Sequence, residues 1–324
     1  EERLKSIAMS NSLKNKARIA VVTGGPSNES VIARKTATEI EIALRELGFM
    51  TSIIELTTEV TEKLIDFGPD AVFPALHGRP GEDGTFQGLL DILQIPYVGS
   101  GVMGSSLAMD KPQAKKIFRH HKLPVPEGVV VEGNANLKQT LADVEKRFGR
   151  DIVLKPIAAG SALGVHILKG GRNTEPIVLQ ELTNGPLLIE PFISGREITA
   201  SVLEKAGTPF ALPIIEIKTK DEEWYDFKNR YTPGKSEHVV PAALDENIAG
   251  RIKEIALEAH KGLGLRDLSR SDFILADTGD VFLLETNTLP GFTKTSLYPD
   301  SARSYGMSFV DLVGHLIEAA LARR

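Results

Sequence analysis

Cysteine is absent from all 324 residues, which removes disulfide staples, thiolate nucleophiles, iron–sulfur clusters and cysteine-based zinc sites together. Any metal must be held by oxygen or imidazole. No apolar run approaches the ~18 residues of a membrane span. The stretch Glu1 to Lys16 (EERLKSIAMSNSLKNK) is polar and broken up, without the run of about 7–15 apolar residues that a secretory signal needs. It reads as a loosely held extension, and the expected setting is reducing and cytoplasmic. A basic excess is missing too: 38 Lys+Arg stand against 43 Asp+Glu, a net charge of −5, so whole-chain charge points to neither nucleic acid nor an anionic membrane. Internal repeats and low-complexity tracts are also lacking. What remains is ordinary, with 42% hydrophobic and 25% charged residues, which excludes disordered, collagen-like and coiled-coil chains. At about 150 residues per domain the length asks for two or three domains with real cores.

The first ordered element is the apolar run Ala17 to Val22, ending at Thr23-Gly24-Gly25 and followed by a helical pattern from about Val31 to Leu47. A strand (Met50 to Glu55), a short helix (Val60 to Phe67) and a buried strand (Ala71 to Leu76) come next. Strands alternating with helices predict a parallel sheet with ligand-accepting loops at the carboxyl ends of its strands. Gly24-Gly25 and His77-Gly78 sit at such ends. The glycine-rich stretch Gly99 to Gly104 marks a domain boundary near residue 100, and a helix is expected from about Lys111 to His121. From Asp151 the grammar changes to paired short strands: Ile152 to Lys155, a small-residue loop from Ala158 to Gly164, Val165 to Leu168, Leu187 to Glu190, Glu197 to Leu203 and Pro213 to Ile217. That is α+β with antiparallel strands. The polar segment 221–241 is long for a connection and predicts a lid. A helix (Ile248 to Leu263), a hairpin (Phe273 to Leu284) and an amphipathic helix (Ser308 to Ala322) complete the chain. The division is an extension (1–16), an N-terminal α/β domain (17–100), a central subdomain (101–194) and a C-terminal domain (195–324) carrying the lid.

The hairpin holds the most informative residues. If its Asp-Thr-Gly-Asp turn centres between Thr278 and Gly279, antiparallel pairing sets Asp272 opposite Glu285 and Arg270 opposite Asn287, all four on one face. Two carboxylates facing each other destabilise a sheet. A cation between them removes the problem, and two carboxylates plus an amide carbonyl suit Mg²⁺, which completes its shell with water and phosphate oxygens. The alternative is a plain polar sheet face on which Arg270 pairs with the carboxylates. Other pieces suit the phosphates. Ala159-Gly160-Ser161-Ala162-Leu163-Gly164 is small enough for backbone N–H groups to approach an anion, and Lys155 precedes it. Lys111 opens a helix just after Asp110. Singly, the loop reads equally as a loop and Lys111 as a solvated lysine.

Two long motifs carry a resemblance. His77 to Gly88 (HGRPGEDGTFQG), and Arg270-Ser271-Asp272 through Glu285-Thr286-Asn287-Thr288-Leu289-Pro290-Gly291, resemble the two signatures of the D-alanine–D-alanine ligases, in order and in separation. The likeness runs from about Ala17 to the C-terminus. It implies an α/β and α+β chain, an ATP-grasp fold preceded by a Rossmann-like parallel-sheet domain, whose activity is ATP-dependent joining of two D-alanines through a D-alanyl phosphate to supply a peptidoglycan precursor. It implies ATP and Mg²⁺, with two ions expected and Mn²⁺ able to substitute, and a homodimer by family analogy.

Residue by residue, the resemblance assigns magnesium to Asp272, Glu285 and Asn287, and the oxyanion of the tetrahedral intermediate to Arg270 with the backbone N–H of Gly291. Lys111 and Lys155 match the phosphate-binding lysines, and Ser161 lies in the loop that closes over the nucleotide. Glu190 and the backbone at Pro191 and Ile193 match the adenine site, and Glu197 the ribose contact. Glu29 matches the carboxylate that grips the first D-alanine ammonium, though a glutamate at a helix start is also favoured by the helix dipole. Tyr231 matches a lid tyrosine hydrogen-bonded to the equivalents of Glu29 and Ser161. It favours an amine over the hydroxyl of D-lactate. Ser296, with Leu297 beside it, matches the group binding the second D-alanine carboxylate, and His77 either helps hold the second amine or is structural. Arg230 stands where many members carry Lys, Ala162 where a second Ser is common, and Ala33 where a Ser often follows the Glu29 segment. None of these departures touches the metal or oxyanion residues. Two rival readings are an ATP-grasp ligase with another second substrate, and a non-catalytic binding protein. The second would be expected to have lost Asp272, Glu285, Asn287 or Arg270, and all four are present.

Overall fold

The computed structural model describes residues 17–26, 30–133, 136–160, 162–171, 174–219 and 235–323. A parallel sheet comes first, with β1 (Arg18–Thr23) between β2 (Met50–Glu55) and β3 (Ala71–Ala75). Helix α1 (Ser30–Glu46) connects β1 to β2, and α2 (Val60–Phe67) connects β2 to β3. Ile19 through Thr23 are buried, as a central parallel strand covered on both faces requires. At its carboxyl end Gly24 has φ +80°, and a Cβ there would run into the Glu55 carboxylate, so that turn strongly favours glycine.

Helices α3 (Thr85–Ile92), α4 (Val102–Met109) and α5 (Lys111–His120) follow. The first two are not evident from the sequence, because glycines in GEDGTFQG and GSGVMG mask their periodicity. Helix α5 starts cleanly: the Asp110 carboxylate accepts from the Gln113 N–H at 3.0 Å and Pro112 occupies the first turn.

The central unit is an antiparallel sheet, β4 (Val129–Val131), β5 (Ile152–Pro156), β6 (His166–Leu168) and β7 (Leu187–Pro191), in the order β4-β7-β5-β6. It is covered by α6 (Leu137–Phe148) and α7 (Thr174–Leu182), through Val144 and Val178 packed on Leu154 and Ile189. The third sheet contains β8 (Gly195–Lys205), β9 (Thr208–Ala211), β10 (Ile215–Thr219), β11 (Ser236–Val239), β12 (Leu268–Ala276) and β13 (Val281–Asn287). Its order is β11-β10-β8-β12-β13, with β9 on β8. Helix α8 (Glu246–Gly262) packs Ile252, Ala256 and Ala259 on Ile198, Phe273 and Leu283.

The β12–β13 hairpin reaches the expected pairing by a different route. Its turn is three residues, Asp277-Thr278-Gly279, closed by Ala276 N–H to Asp280 C=O at 2.8 Å, with Gly279 at φ +88°. The first pairs, Leu275 with Val281 and Phe273 with Leu283, are therefore one residue away from the register that a turn centred between Thr278 and Gly279 gives. A β-bulge next to Asp272 inserts Leu284 and restores the offset, so that Asp272 pairs with Glu285 and Arg270 with Asn287. Val281 and Leu283 are buried in the core, and the extra residue moves Glu285 off that face.

Helix α9 (Leu297–Ser304) leads to α10 (Phe309–Leu321), which begins with a capping box between Ser308 and Asp311. Leu312, Val313, Leu316 and Ile317 of α10 pack in one core with Ile40 and Leu44 of α1 and Phe73 of β3. A boundary drawn by residue number thus separates α10 from the layer it completes.

Candidate active site

A cavity of about 920 Å³ lies between the central sheet and the hairpin sheet. Its hairpin wall carries Asp272 and Glu285, and Glu197 of β8 lines it as well. Glu197 and Thr199 on β8 pair with Ile274 and Asp272 on β12, so one sheet face runs from Glu197 through Thr199 and Asp272 to Glu285. Arg270 is 5% exposed and grips Asp272 bidentately, Nε to Oδ1 and Nη2 to Oδ2, both at 2.8 Å. The Thr199 hydroxyl donates to Asp272 Oδ1 at 2.8 Å. Lys111 Nζ lies 3.2 Å from Glu285 Oε2 and donates to the Ala159 carbonyl at 2.7 Å, joining the hairpin to the loop after β5. Each of the two facing carboxylates therefore has its own buried cation.

Lys155 and Glu190 also line the cavity. Val153 pairs with Glu190 and Lys155 with Leu188, which makes Lys155 and Glu190 diagonal neighbours on one sheet face, with Nζ and Oε2 2.5 Å apart. Glu190 is 2% exposed, and its Oε1 is in contact with Lys115 of α5. Burial, reinforced by nearby Lys111, pulls the Lys155 ammonium down to about 8. Burial also pulls Lys115 below its ordinary range, with Lys155 and Arg119 adding to it, while the Glu285 carboxylate works in the other direction. Sequence reasoning missed Lys115. The signal was available: Lys111, Ala114, Lys115 and Phe118 form the buried stripe of α5, and a lysine on an apolar stripe requires a buried partner. Pro191 and Ile193 line the adjacent wall.

The residues expected around the second substrate sit on the segment after β13. The Ser296 hydroxyl accepts from the Thr293 N–H at 3.1 Å and lies 2.8 Å from Thr293 Oγ1. If the threonine hydroxyl donates there, Ser296 keeps its own proton for a ligand. A Cβ on Gly291 would lie 3.2 Å from Ser296 Oγ, so glycine leaves that hydroxyl undisturbed. The Lys294 N–H donates to Glu39 of α1 at 2.5 Å, tying the segment to the first layer. Leu297 packs its side chain with Ile215 and Ile217, so its contribution to a ligand is confined to a backbone N–H in the first turn of α9. Asn287 Oδ1 accepts from the Leu289 N–H at 2.9 Å. His77 is buried at the end of β3, its Nδ1 3.9 Å from Glu82 Oε1. Arg270, Asn287, Gly291, Ser296, Leu297 and His77 are not among the residues lining the cavity itself. Glu29, Ser161, Arg230 and Tyr231 lie outside the described residues.

The donor set available to a metal is oxygen only. Among the described residues no cluster of three or more His, Cys, Asp or Glu side chains could hold one, and the hairpin offers two carboxylates and an amide, Asp272, Glu285 and Asn287. That set fits Mg²⁺ or Mn²⁺ completed by phosphate and water rather than a closed structural metal site. The geometry accounts for a polyanion held by lysines beside a carboxylate pair, with an arginine fixed at its edge. Among the described residues no helix is long and apolar enough to cross a membrane.

Comparison with known proteins agrees with this chemistry. Family models described as D-ala D-ala ligase N-terminus and C-terminus match residues 51–100 and 117–318. A D-alanine–D-alanine ligase of Pelotomaculum thermopropionicum is 40% identical over 309 residues, covering 94% of this chain and 96% of that protein. The crystal structure of a D-alanine–D-alanine ligase from Bacillus anthracis complexed with ATP superposes with a TM-score of 0.80 at 30% identity, covering 95% of this chain and 98% of that one. A D-Ala:D-Ser ligase from Enterococcus faecalis gives a TM-score of 0.78 at 27% identity, covering 94% and 99%. With identity of this level along nearly its whole length and both signatures in a common fold, the chain belongs to the D-alanine–D-alanine ligase family.

Proposed function

We propose that this protein uses ATP to join two D-alanines into the dipeptide that feeds peptidoglycan assembly, working in the cytoplasm as a homodimer. The observation that carries the reading is the hairpin: Asp272 pairs with Glu285 beside the cavity, each with its own cation, Arg270 and Lys111. The carboxylate of the first D-alanine attacks the γ-phosphorus of ATP and ADP leaves, giving an acyl phosphate. The amine of the second D-alanine then attacks the acyl carbon, an oxyanion forms, and phosphate departs as the peptide bond closes, taking up the proton that the nitrogen loses.

Lys111 and Lys155 counter the phosphate charge, and Glu190 with the backbone at Pro191 and Ile193 faces the base, with Glu197 toward the ribose. Magnesium, held by Asp272, Glu285 and Asn287, would supply charge neutralisation at the transferring phosphate. Pairing with Asp272 through Nε and Nη2 fixes the guanidinium plane of Arg270, which with the Gly291 N–H is the oxyanion donor pair of this reading. Ser296 receives the second carboxylate, aided by the backbone of Leu297, and His77 flanks the amine. Glu29 holds the first ammonium. Tyr231, Arg230 and Ser161 close the site so that the acyl phosphate meets an amine rather than water.

The test is purified protein with ATP, Mg²⁺ and D-alanine, read by phosphate release and dipeptide formation, with D-serine and D-lactate as alternative second substrates. D-Ala-D-Ala as the main product supports the reading. Phosphate release only with D-serine or D-lactate would reassign the second substrate, and none with any of them would remove the ligase reading.

A further inference from the structure

Lys115 belongs to none of the groups assigned above, yet it is among the largest fully buried side chains of the protein. It sits behind the cavity wall, where its ammonium touches Glu190 Oε1 and donates to the Pro126 carbonyl at 3.3 Å. It is not among the cavity-lining residues, whereas both Glu190 and Lys155 are. Glu190 thus divides its two oxygens between a lysine that has no access to a ligand and one that does.

Resting on the reading that this cavity takes ATP, we infer that Lys115 is a positioning residue, the fixed counter-ion that allows Lys155 to leave Glu190 for a phosphate when a nucleotide enters. Lys155 carries the positive charge a phosphate attracts, and moving it vacates Glu190 Oε2. That oxygen accepts an N–H from the exocyclic amino group of adenine. Without a second cation the exchange would strand a buried carboxylate, which is strongly unfavourable. With Lys115 in place Glu190 keeps one ion pair throughout. Phosphate binding and base reading are then coupled through one carboxylate.

The experiment is calorimetric binding of ADP, GDP and adenosine, in the presence of Mg²⁺ and without D-alanine, to the wild type and to Lys115→Met, Lys115→Arg and Lys155→Met. Lys115→Met should weaken ADP about tenfold or more, the worth of one charge-assisted hydrogen bond, and should lower the preference for ADP over GDP, whose ring carries a carbonyl in place of the amino group. Lys115→Arg should recover most of both. Lys155→Met should weaken ADP yet bind adenosine more tightly than the wild type, because Oε2 is already vacant. In turnover, Lys115→Met should raise KM for ATP far more than it lowers kcat. Lys115→Met binding ADP within about twofold of the wild type, even with a lowered melting temperature, would make Lys115 purely structural and overturn the proposal. If that variant does not fold, the adenosine comparison decides alone: affinity in Lys155→Met equal to or below the wild type removes the exchange. A wild type that binds no ADP removes the nucleotide reading instead.

Discussion

Replacing Arg270 by methionine separates chemistry from binding at this site. Arg270 is 5% exposed and its guanidinium makes two 2.8 Å hydrogen bonds to Asp272, while the Lys111 bridge to Glu285 and Ala159 does not involve it. Loss of an oxyanion donor costs about 10²–10³ in kcat, roughly 2.7–4 kcal/mol of transition-state stabilisation. Since the phosphate lysines are untouched, KM for ATP should move less than about threefold. The fold should lose about 3 kcal/mol, the low end for breaking a buried pair, because Asp272 keeps the Thr199 hydroxyl at 2.8 Å and its side chain is 15% exposed. The assay is steady-state phosphate release, with ADP affinity measured in parallel. Thr199→Val is the control, since it takes a support from Asp272 and leaves Arg270 in place. It should raise the Mg²⁺ requirement with a kcat loss of less than about tenfold. If Arg270→Met abolished ADP binding with kcat nearly intact, or Thr199→Val matched its kcat loss, Arg270 would act through Asp272 and the oxyanion assignment would be wrong.

Ser296→Ala should raise KM for the second D-alanine about tenfold, the value of a hydrogen bond to a charged group, with KM for ATP nearly unchanged in two-substrate kinetics; a larger effect on ATP would refute the assignment. Gly24→Ala requires φ near +80° and displacement of Glu55 from its site beside the turn, so thermal melting should report a loss of about 1–2 kcal/mol. Glu204 is held below the usual carboxylate value of 4.5 by its hydrogen bond with His260, and further by the Asp267 N–H. A lowered folded value means that its stabilisation is present above pH 4.5 and is lost as pH falls through the lowered value. Glu204→Gln should therefore flatten the acid side of the melting profile, and an unchanged profile would show that Glu204 contributes nothing there.

Much of this protein was legible before folding because its chemistry is written in local spacing. Two of the three parallel strands, β1 and β3, announced themselves as apolar runs leading into glycine turns, and the two signatures fix the family by their length and order. The facing of Asp272 and Glu285 also came from alternation, but the structure reaches it through a three-residue turn and a compensating bulge at Leu284. A bulge is a tertiary compromise between core packing of Leu283 and exposure of Glu285, so no local rule announces it. Helices α3 and α4 were hidden by glycines that close packing demands, since a Cβ on Gly84 would lie 2.6 Å from the Val102 carbonyl oxygen and one on Gly104 2.9 Å from the Leu265 side chain.

By itself the sequence determined which atoms are present: oxygen and imidazole donors, a few placed lysines and an arginine, with no thiol anywhere. Tertiary structure decided which of them share a charge. Lys115 and Lys155 lie 40 positions apart in the sequence, on a helix and a strand, and they meet on one carboxylate from a third element. The C-terminal helix likewise completes a layer begun more than two hundred residues earlier. Burial is the physical reason in both cases: which ion pairs form, and which apolar face is covered, depends on what packs from elsewhere in the chain, and periodicity along one segment carries no record of its partner.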